Sequence, residues 1–228
     1  MALYEIAGLR VEMAVSGKTK KQAAAYAAPA SGVPDIILPN NAEITLKNFP
    51  HLKTLEDAEY MSVGTAFAKR LLAFHGFQLH ASAVILDGKA YLFSAPPGTG
   101  KSTHAEKWVR LFGARHLNDD KPAVRCVDGV WTAYGTPWSG KNDLSSPESA
   151  PLATVVFLKR GQANSIRRMQ PVEAVPHLIS QLLRYLSRED MERQITLADK
   201  LLRSIPVWEL TCRNDDEAAF VSHDAIIP

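Results

Sequence analysis

The sequence predicts an α/β protein with mixed, largely antiparallel sheets, and three observations carry that expectation. Two Asp-Gly pairs, Asp87-Gly88 and Asp128-Gly129, sit between apolar runs, which is the turn chemistry of tight hairpins. A strand-like stretch, Lys89 to Phe93, ends in a Gly-rich loop that opens a helix-like stretch from His104 to Phe112. A further strand lies just upstream of Lys89 across a two-residue turn, so the loop's strand gains an antiparallel neighbour. That separates it from a sheet of repeated βα units.

The remaining elements follow in chain order. Tyr4 to Val15 alternates well enough for one or two strands broken at Gly8, and Ser16 to Pro34, rich in Ala, Gly, Lys and Pro, contains a loop. Asp35 to Leu38 and Glu43 to Leu46 read as short strands around Pro39-Asn40-Asn41. Apolar residues at helical spacing (Ala58, Met61, Ala66, Leu71) predict a helix from Glu56 to Phe74, ended by Gly76. Phe77 to Leu86 and Ala90 to Phe93 form the first hairpin. Arg115 to Asp120 is a strand ending in two acids, and Ala123 to Cys126 with Val130 to Tyr134 forms the second hairpin. Ala153 to Leu158 reads as a buried strand. Val172 to Leu186 and Arg188 to Ser204 read as amphipathic helices, Val207 to Cys212 as a strand, and Asp215 to Asp224 as a last helix. The simplest organisation is one nucleotide-binding catalytic domain over 1–228. Within it, 1–74 supplies strands and a helix, 75–160 the core around the loop, and 161–228 a helical part.

Composition narrows the function classes. The 228 residues carry a net charge of +2 with 22% charged residues, and no dense basic stripe marks a nucleic-acid partner. Lys18, Lys20 and Lys21 form a short basic run that reads as a solvated loop. Cys126 and Cys212 lack metal-ligand spacing and predict free thiols in a reduced compartment. The N-terminus lacks a signal-peptide pattern, and no apolar run approaches the ~20 residues of a membrane span. A cytoplasmic protein without a membrane partner is expected, with a homo-oligomer left open.

The run Ala95-Pro96-Pro97-Gly98-Thr99-Gly100-Lys101-Ser102-Thr103 follows a strand and opens a helix, the setting of a phosphate-binding P-loop. Gly98 and Gly100 let backbone N–H groups turn inward at a polyphosphate. Lys101 reaches the outer phosphates, Ser102 offers a hydroxyl to Mg²⁺, and the helix N-terminus adds its positive end. Ala95 occupies the place of the pattern's first glycine, which costs little where strand dihedrals are kept. ATP and Mg²⁺ are the expected ligands. Asp119 and Asp120 follow the loop's helix, where a metal-holding acid belongs, and alternation sends their side chains to opposite sides. One then approaches Mg²⁺ and the other the acceptor hydroxyl. His80 lies on the strand paired with the loop's strand and is equally readable as core or catalytic. Gly135 to Lys141 looks like a functional loop in which Trp138 is a flat wall and Lys141 a cation for phosphate or an acidic acceptor. Lys159-Arg160 and Arg167-Arg168 read as surface charge.

His80, the loop from Ala95, and the Gly113 to Asp120 element together resemble the C-terminal catalytic domain of HPr kinase/phosphorylase. The resemblance covers about His75 to Val124, with a looser order of elements beyond. It implies a phosphoenolpyruvate carboxykinase-like fold with its P-loop between antiparallel strands. It also implies Lys101 on the β/γ-phosphates, Ser102 and Asp120 at the metal, Asp119 as catalytic base, and His80 near the transferred phosphate. The family's glycine-rich signature segment has no counterpart, and Gly135 to Lys141 stands in its place. No large N-terminal regulatory domain is seen either, so HPr is not the expected substrate. The chain looks like smaller HPr-kinase-related proteins linked with peptide maturation, among them kinases of a serine in a ribosomally made precursor peptide. The expected activity is γ-phosphate transfer to a hydroxyl of a peptide or protein. A small-molecule hydroxyl kinase and a non-catalytic nucleotide-binding accessory protein are the alternatives.

Overall fold

A computed structural model describes residues 1–140, 142–184 and 187–227. At the N-terminal end, β1 (Ala2–Ile6) and β2 (Leu9–Met13) pair antiparallel through a turn at Ala7-Gly8, and β3 (Ile36–Leu38) runs parallel to β2. Helices α1 (Gly17–Ala23), α2 (Ala42–Asn48) and α3 (Leu55–Leu71) pack beside this sheet. Two of them correct the sequence expectation. The Lys18 to Lys21 run read as a solvated loop lies in α1, entered where Ser16 donates its backbone N–H (2.8 Å) and hydroxyl (3.1 Å) to the Glu59 carboxylate. The stretch read as a strand at Glu43 to Leu46 lies in α2, whose first amide, at Ala42, donates to Asn40 Oδ1 at 3.2 Å. Four residues of alternation fit either period, and packing against α3 decides between them. Helix α3 is capped by Thr54, which accepts from Asp57 N at 3.0 Å. It runs on into one 3₁₀ turn and stops at His75 in the left-handed conformation (φ 57°), one residue before the expected Gly76.

The larger sheet system contains β4 (Gly76–Gln78), β5 (Ala81–Leu86), β6 (Lys89–Ser94), β7 (Arg115–Asn118), β8 (Ala123–Val127), β9 (Val130–Tyr134) and β10 (Ser149–Arg160). Strands β11 (Ser165–Arg168) and β12 (Val207–Cys212) complete it, and β11 was not anticipated. Helix α4 (Lys101–Phe112) follows β6; α5 (Pro171–Ser180), α6 (Arg188–Ser204) and α7 (Glu217–Ile226) belong to the C-terminal part. The stretch expected as one strand from Phe77 to Leu86 is two strands. β4 pairs with β8, whereas β5 lies between β6 and β7. β10 joins the two halves. Its first residues pair antiparallel with β9, and the rest runs parallel to both β6 and β12. The loop's strand therefore has one antiparallel neighbour, β5, and one parallel neighbour, β10, rather than two antiparallel ones. A parallel neighbour needs a crossover connection, and here it arrives from more than fifty residues downstream, beyond the reach of local pattern. The fold is mixed α/β with mostly antiparallel pairing.

Helix α5 ends at Ser180, short of the expected Leu186. Leu182 leaves it to bridge Leu79 instead. Trp138 sits beneath α3 at 1% exposure and stacks on Phe67, with ring centroids 4.8 Å apart. The indole passes so close to Gly64 that a Cβ there would lie 2.7 Å from its Cδ1 and Nε1. Alanine for glycine inside a helix normally gains about 1 kcal/mol, while forcing extra volume into a packed core costs about 1–3 kcal/mol. Gly64→Ala is therefore expected to destabilise the protein by about 1 kcal/mol net, seen as a lower urea midpoint at unchanged slope. A raised midpoint would show that the indole does not press on this helix.

Candidate functional site

Three neighbouring strand ends converge at one edge of the sheet. Ala81 of β5 pairs with Ser94 of β6, and Ala83 pairs with Asn118 of β7. One step further along this register stand His80, the loop that begins at Ala95, and the pair Asp119-Asp120. Side chains tie the three ends together. Ser94 Oγ donates to the His80 carbonyl at 2.9 Å, and Ser82 Oγ donates to the Asp119 carbonyl at 3.1 Å. Ser82 Oγ also lies 3.2 Å from Ser102 Oγ, so the first turn of α4 is linked to the acidic pair.

In the loop, Gly98 (φ 76°) and Gly100 (φ 117°) hold conformations that favour glycine, and Gly100 caps α4. A Cβ at either would meet nothing within 4 Å, so these glycines answer to the backbone path and not to crowding. Ala95 is buried and packs with Phe93 and Trp108, while Pro96 and Pro97 carry the chain outward; Thr99 N donates to the Pro96 carbonyl at 3.3 Å. Lys101 is buried and folds back, donating to the Ala95 carbonyl at 2.8 Å. Burial lowers its pKa, and the Asp120 charge opposes that shift. Thr103 is exposed on α4.

The two acids do not sit on an extended strand as expected, because β7 stops at Asn118. Asn118 is fully buried, and its Oδ1 accepts from both Asp120 N (2.9 Å) and Lys121 N (2.7 Å). Its Nδ2 donates to the Thr136 carbonyl at 2.8 Å. This Asx turn aims the carboxylates at different partners. Asp119 Oδ1 accepts from Gly140 N at 2.5 Å, and a Cβ on Gly140 would stand 2.9 Å from Asp119 Oδ2. Asp120 Oδ1 lies 3.2 Å from His80 Nε2, while His80 Nδ1 meets Gln181 Oε1 at 3.1 Å. Burial raises the Asp119 pKa, opposed by the Gly140 amide and reinforced by the Asp120 charge. Burial pushes Asp120 upward too, but the hydrogen bond from His80, with Lys121 and Lys101 nearby, outweighs it and holds the carboxyl below its ordinary value.

A cavity of about 690 Å³ opens beside His80 and Asp120. Tyr60, Met61, Leu79, Trp138 and Leu182 supply an apolar wall, and Lys53 and Lys121 add cations alongside the carboxylates of Asp57 and Asp120. The loop after β9 is fixed beside it: Tyr60 Oη donates to the Ser139 carbonyl at 2.7 Å, and Gln22 Nε2 donates to Ser139 Oγ at 2.9 Å. Trp138 is a core residue with one face on the cavity, and Lys141 lies outside the described residues. Lys18, read as part of a solvated loop, stands over the Tyr60 ring at 4.4 Å. Arg160 donates to the Gly98 carbonyl, whereas Arg167 pairs with Glu173 and Glu209 on the surface. Asn118, Ser82 and Gln181 escaped the sequence reading. Only Asn118 left a local trace, as the polar residue opening Asn-Asp-Asp-Lys.

No family model matches the chain, and no curated protein does. Among solved structures it is similar to the Hpr(Ser) kinase/phosphatase from Coxiella burnetii. Identity is 10%, the match covers 65% of this chain and 95% of that one, and the TM-score is 0.38. Among the described residues no helix is long and apolar enough to cross a membrane.

The opposed shifts of the two acids give stability profiles of opposite sign. Asp120, held below its ordinary pKa of 3.8, stabilises the fold above that pH and loses the contribution as pH falls through the folded value. Asp120→Asn should therefore be less stable than wild type near neutral pH, with the gap closing in acid. Asp119, raised above 3.8, penalises the fold once pH exceeds the unfolded pKa, so Asp119→Asn should be neutral or stabilising near pH 7. Urea unfolding across pH checks both, and gaps of the same sign would contradict this charge arrangement.

Proposed function

We propose that the protein is an ATP- and Mg²⁺-dependent phosphotransferase acting on a hydroxyl, with a serine of a peptide or protein as the acceptor. The observation that carries this reading is the convergence of Lys101, Ser102, His80, Asp119 and Asp120 at three adjacent strand ends, beside a cavity of about 690 Å³. Phosphoryl transfer needs a cradle, charge neutralisation and a group that takes the acceptor's proton. Backbone amides of 98–102 form the cradle, with Lys101 positioned to exchange its carbonyl partner for a phosphate oxygen. Ser102 and Asp120 are hard oxygen donors of the kind Mg²⁺ takes, and a bound Mg²⁺ would neutralise phosphate charge there. His80, paired to Asp120, adds a donor on the same side.

Asp119 is the proposed base. Its Oδ1 is held by Gly140 N, and its raised pKa makes the carboxylate a better proton acceptor than a solvated aspartate. The cavity beyond His80 takes the acceptor, and its apolar wall beside charged groups of both signs suits a peptide segment. A purely nucleotide-binding role would leave a buried, oriented carboxylate beside the loop without purpose.

Lys101→Ala should weaken Mg-ATP binding at least about tenfold, the scale of one charge-assisted contact, and calorimetry reads this directly. Unchanged affinity would remove the cradle from the site. Asp119→Asn should leave Mg-ATP affinity within about threefold and lower turnover on the order of a hundredfold or more. Transfer of label from radiolabelled ATP to serine-containing peptides checks it. A variant that turns over like wild type would take the base role away from Asp119.

A further inference from the structure

On the nucleotide reading above, we infer that the nucleoside end of the triphosphate lies in a second cleft, between α4 and the C-terminal ends of β10 and β12. Lys107, Arg160 and Asn214 are the side chains that would hold it there. This cleft, of about 420 Å³, is lined on one side by Gly98, Thr99 and Gly100 of the loop itself. Its size falls in the range of about 300–1,000 Å³ typical of small-ligand pockets.

The placement follows from the two ends of a linear triphosphate. The transferred end has to meet Asp119 and Asp120, which lie toward Ser82 and the larger cavity. The other end then leaves the loop along the side of α4 that faces away from Ser82. Ser102 points at Ser82, 3.2 Å away, while Thr103 and Lys107 both line the second cleft. They are four residues apart and thus neighbours on one helix face.

Three polar groups in the cleft are already fixed in position. Lys107 Nζ donates to Asn214 Oδ1 at 2.8 Å, which ties α4 to the chain just after β12. Arg160, at the end of β10, donates to the Gly98 carbonyl and so spans the mouth of the cleft. An ammonium, a guanidinium and a carboxamide supply donors for an α-phosphate and for ribose hydroxyls, and a guanidinium plane stacks on a purine face. Arg213 is engaged by Asp215 and Glu217 and serves as wall rather than anchor. His104 is spoken for by Ser222, 3.0 Å from its Nε2.

The test compares two ligands that share the phosphates and differ in the nucleoside: Mg-ATP and Mg-tripolyphosphate, titrated calorimetrically. Thr103→Trp fills the cleft from an exposed position, and Lys107→Met removes a contact without adding bulk. In Thr103→Trp, affinity for ATP should fall at least about tenfold more than affinity for tripolyphosphate. Lys107→Met should shift the same ratio in the same direction. Lys101→Ala should weaken both ligands in similar proportion. Equal losses for both ligands in the cleft variants, or no loss in either, would overturn the inference while leaving the nucleotide reading intact. A wild-type protein that binds neither ligand would overturn both.

Discussion

Three consecutive backbone amides at the crossing between the two halves of the sheet hold the site together. Leu79 N donates to the Pro122 carbonyl (3.1 Å), His80 N to the Gln181 carbonyl (3.0 Å) and Ala81 N to the Asp120 carbonyl (3.0 Å). The chain here leaves β4, paired with β8, and enters β5, paired with β6 and β7. Buried amides have to find partners, and a strand changing sheets loses its regular ladder for two residues. The segments that supply the missing acceptors are the turn after Asn118 and the residues just past α5. Both are thereby drawn up to His80. Asp120, Pro122 and Gln181 are where they are because the crossing requires their carbonyls, and Asp119 is held beside them by the Ser82 hydroxyl on its own carbonyl.

This constraint also explains why the charges tolerate burial. Asp119, 5% exposed, and Lys101, 7% exposed, would each be costly as isolated ions. Each has a backbone partner instead: the Gly140 amide for the carboxylate and the Ala95 carbonyl for the ammonium. A lysine satisfied by its own loop and an acid satisfied by a neighbouring one do not neutralise each other. That separation leaves both able to engage a third party, whereas a direct Lys101–Asp119 bridge would quench both. Asp120 is treated differently, with a side chain, His80 through its Nε2 at 3.2 Å, as its partner.

Local chemistry made part of this legible. The Asp-Gly turns and the loop followed by a helix are encoded within a few residues, and they are found where pattern places them. What stayed hidden depends on contacts distant in sequence. The Ala- and Lys-rich stretch after Ser16 becomes helix once Glu59 holds its entry, and Glu43 to Leu46 becomes helix against α3. The Gly-Thr-Pro-Trp-Ser-Gly stretch reads as a functional loop in which Trp138 is a flat wall. The groove opened by Gly64, more than seventy residues upstream, makes it core. His80 was ambiguous for a related reason. Its partners, Asp120 and Gln181, come from forty and a hundred residues away.

The loop's position is set from yet another part of the chain. Ser222 of α7 is fully buried, donates its hydroxyl to the Ala219 carbonyl at 2.9 Å, and accepts from Trp108 Nε1 at 3.0 Å. Its remaining lone pair faces His104 Nε2 at 3.0 Å, which makes that nitrogen the donor. Burial keeps the ring neutral, lowering the His104 pKa to about 3, with Lys107 adding to the shift. A single hydroxyl with every hydrogen-bonding capacity used thus locks two residues of α4, one of them a turn from Lys101. Phe93 of β6 meets both of those rings edge-on, His104 at 4.7 Å and Trp108 at 5.1 Å. The strand before the loop and the helix after it are therefore clamped to the same aromatic cluster. The six residues between them can follow an irregular, glycine-dependent path because neither end is free to move.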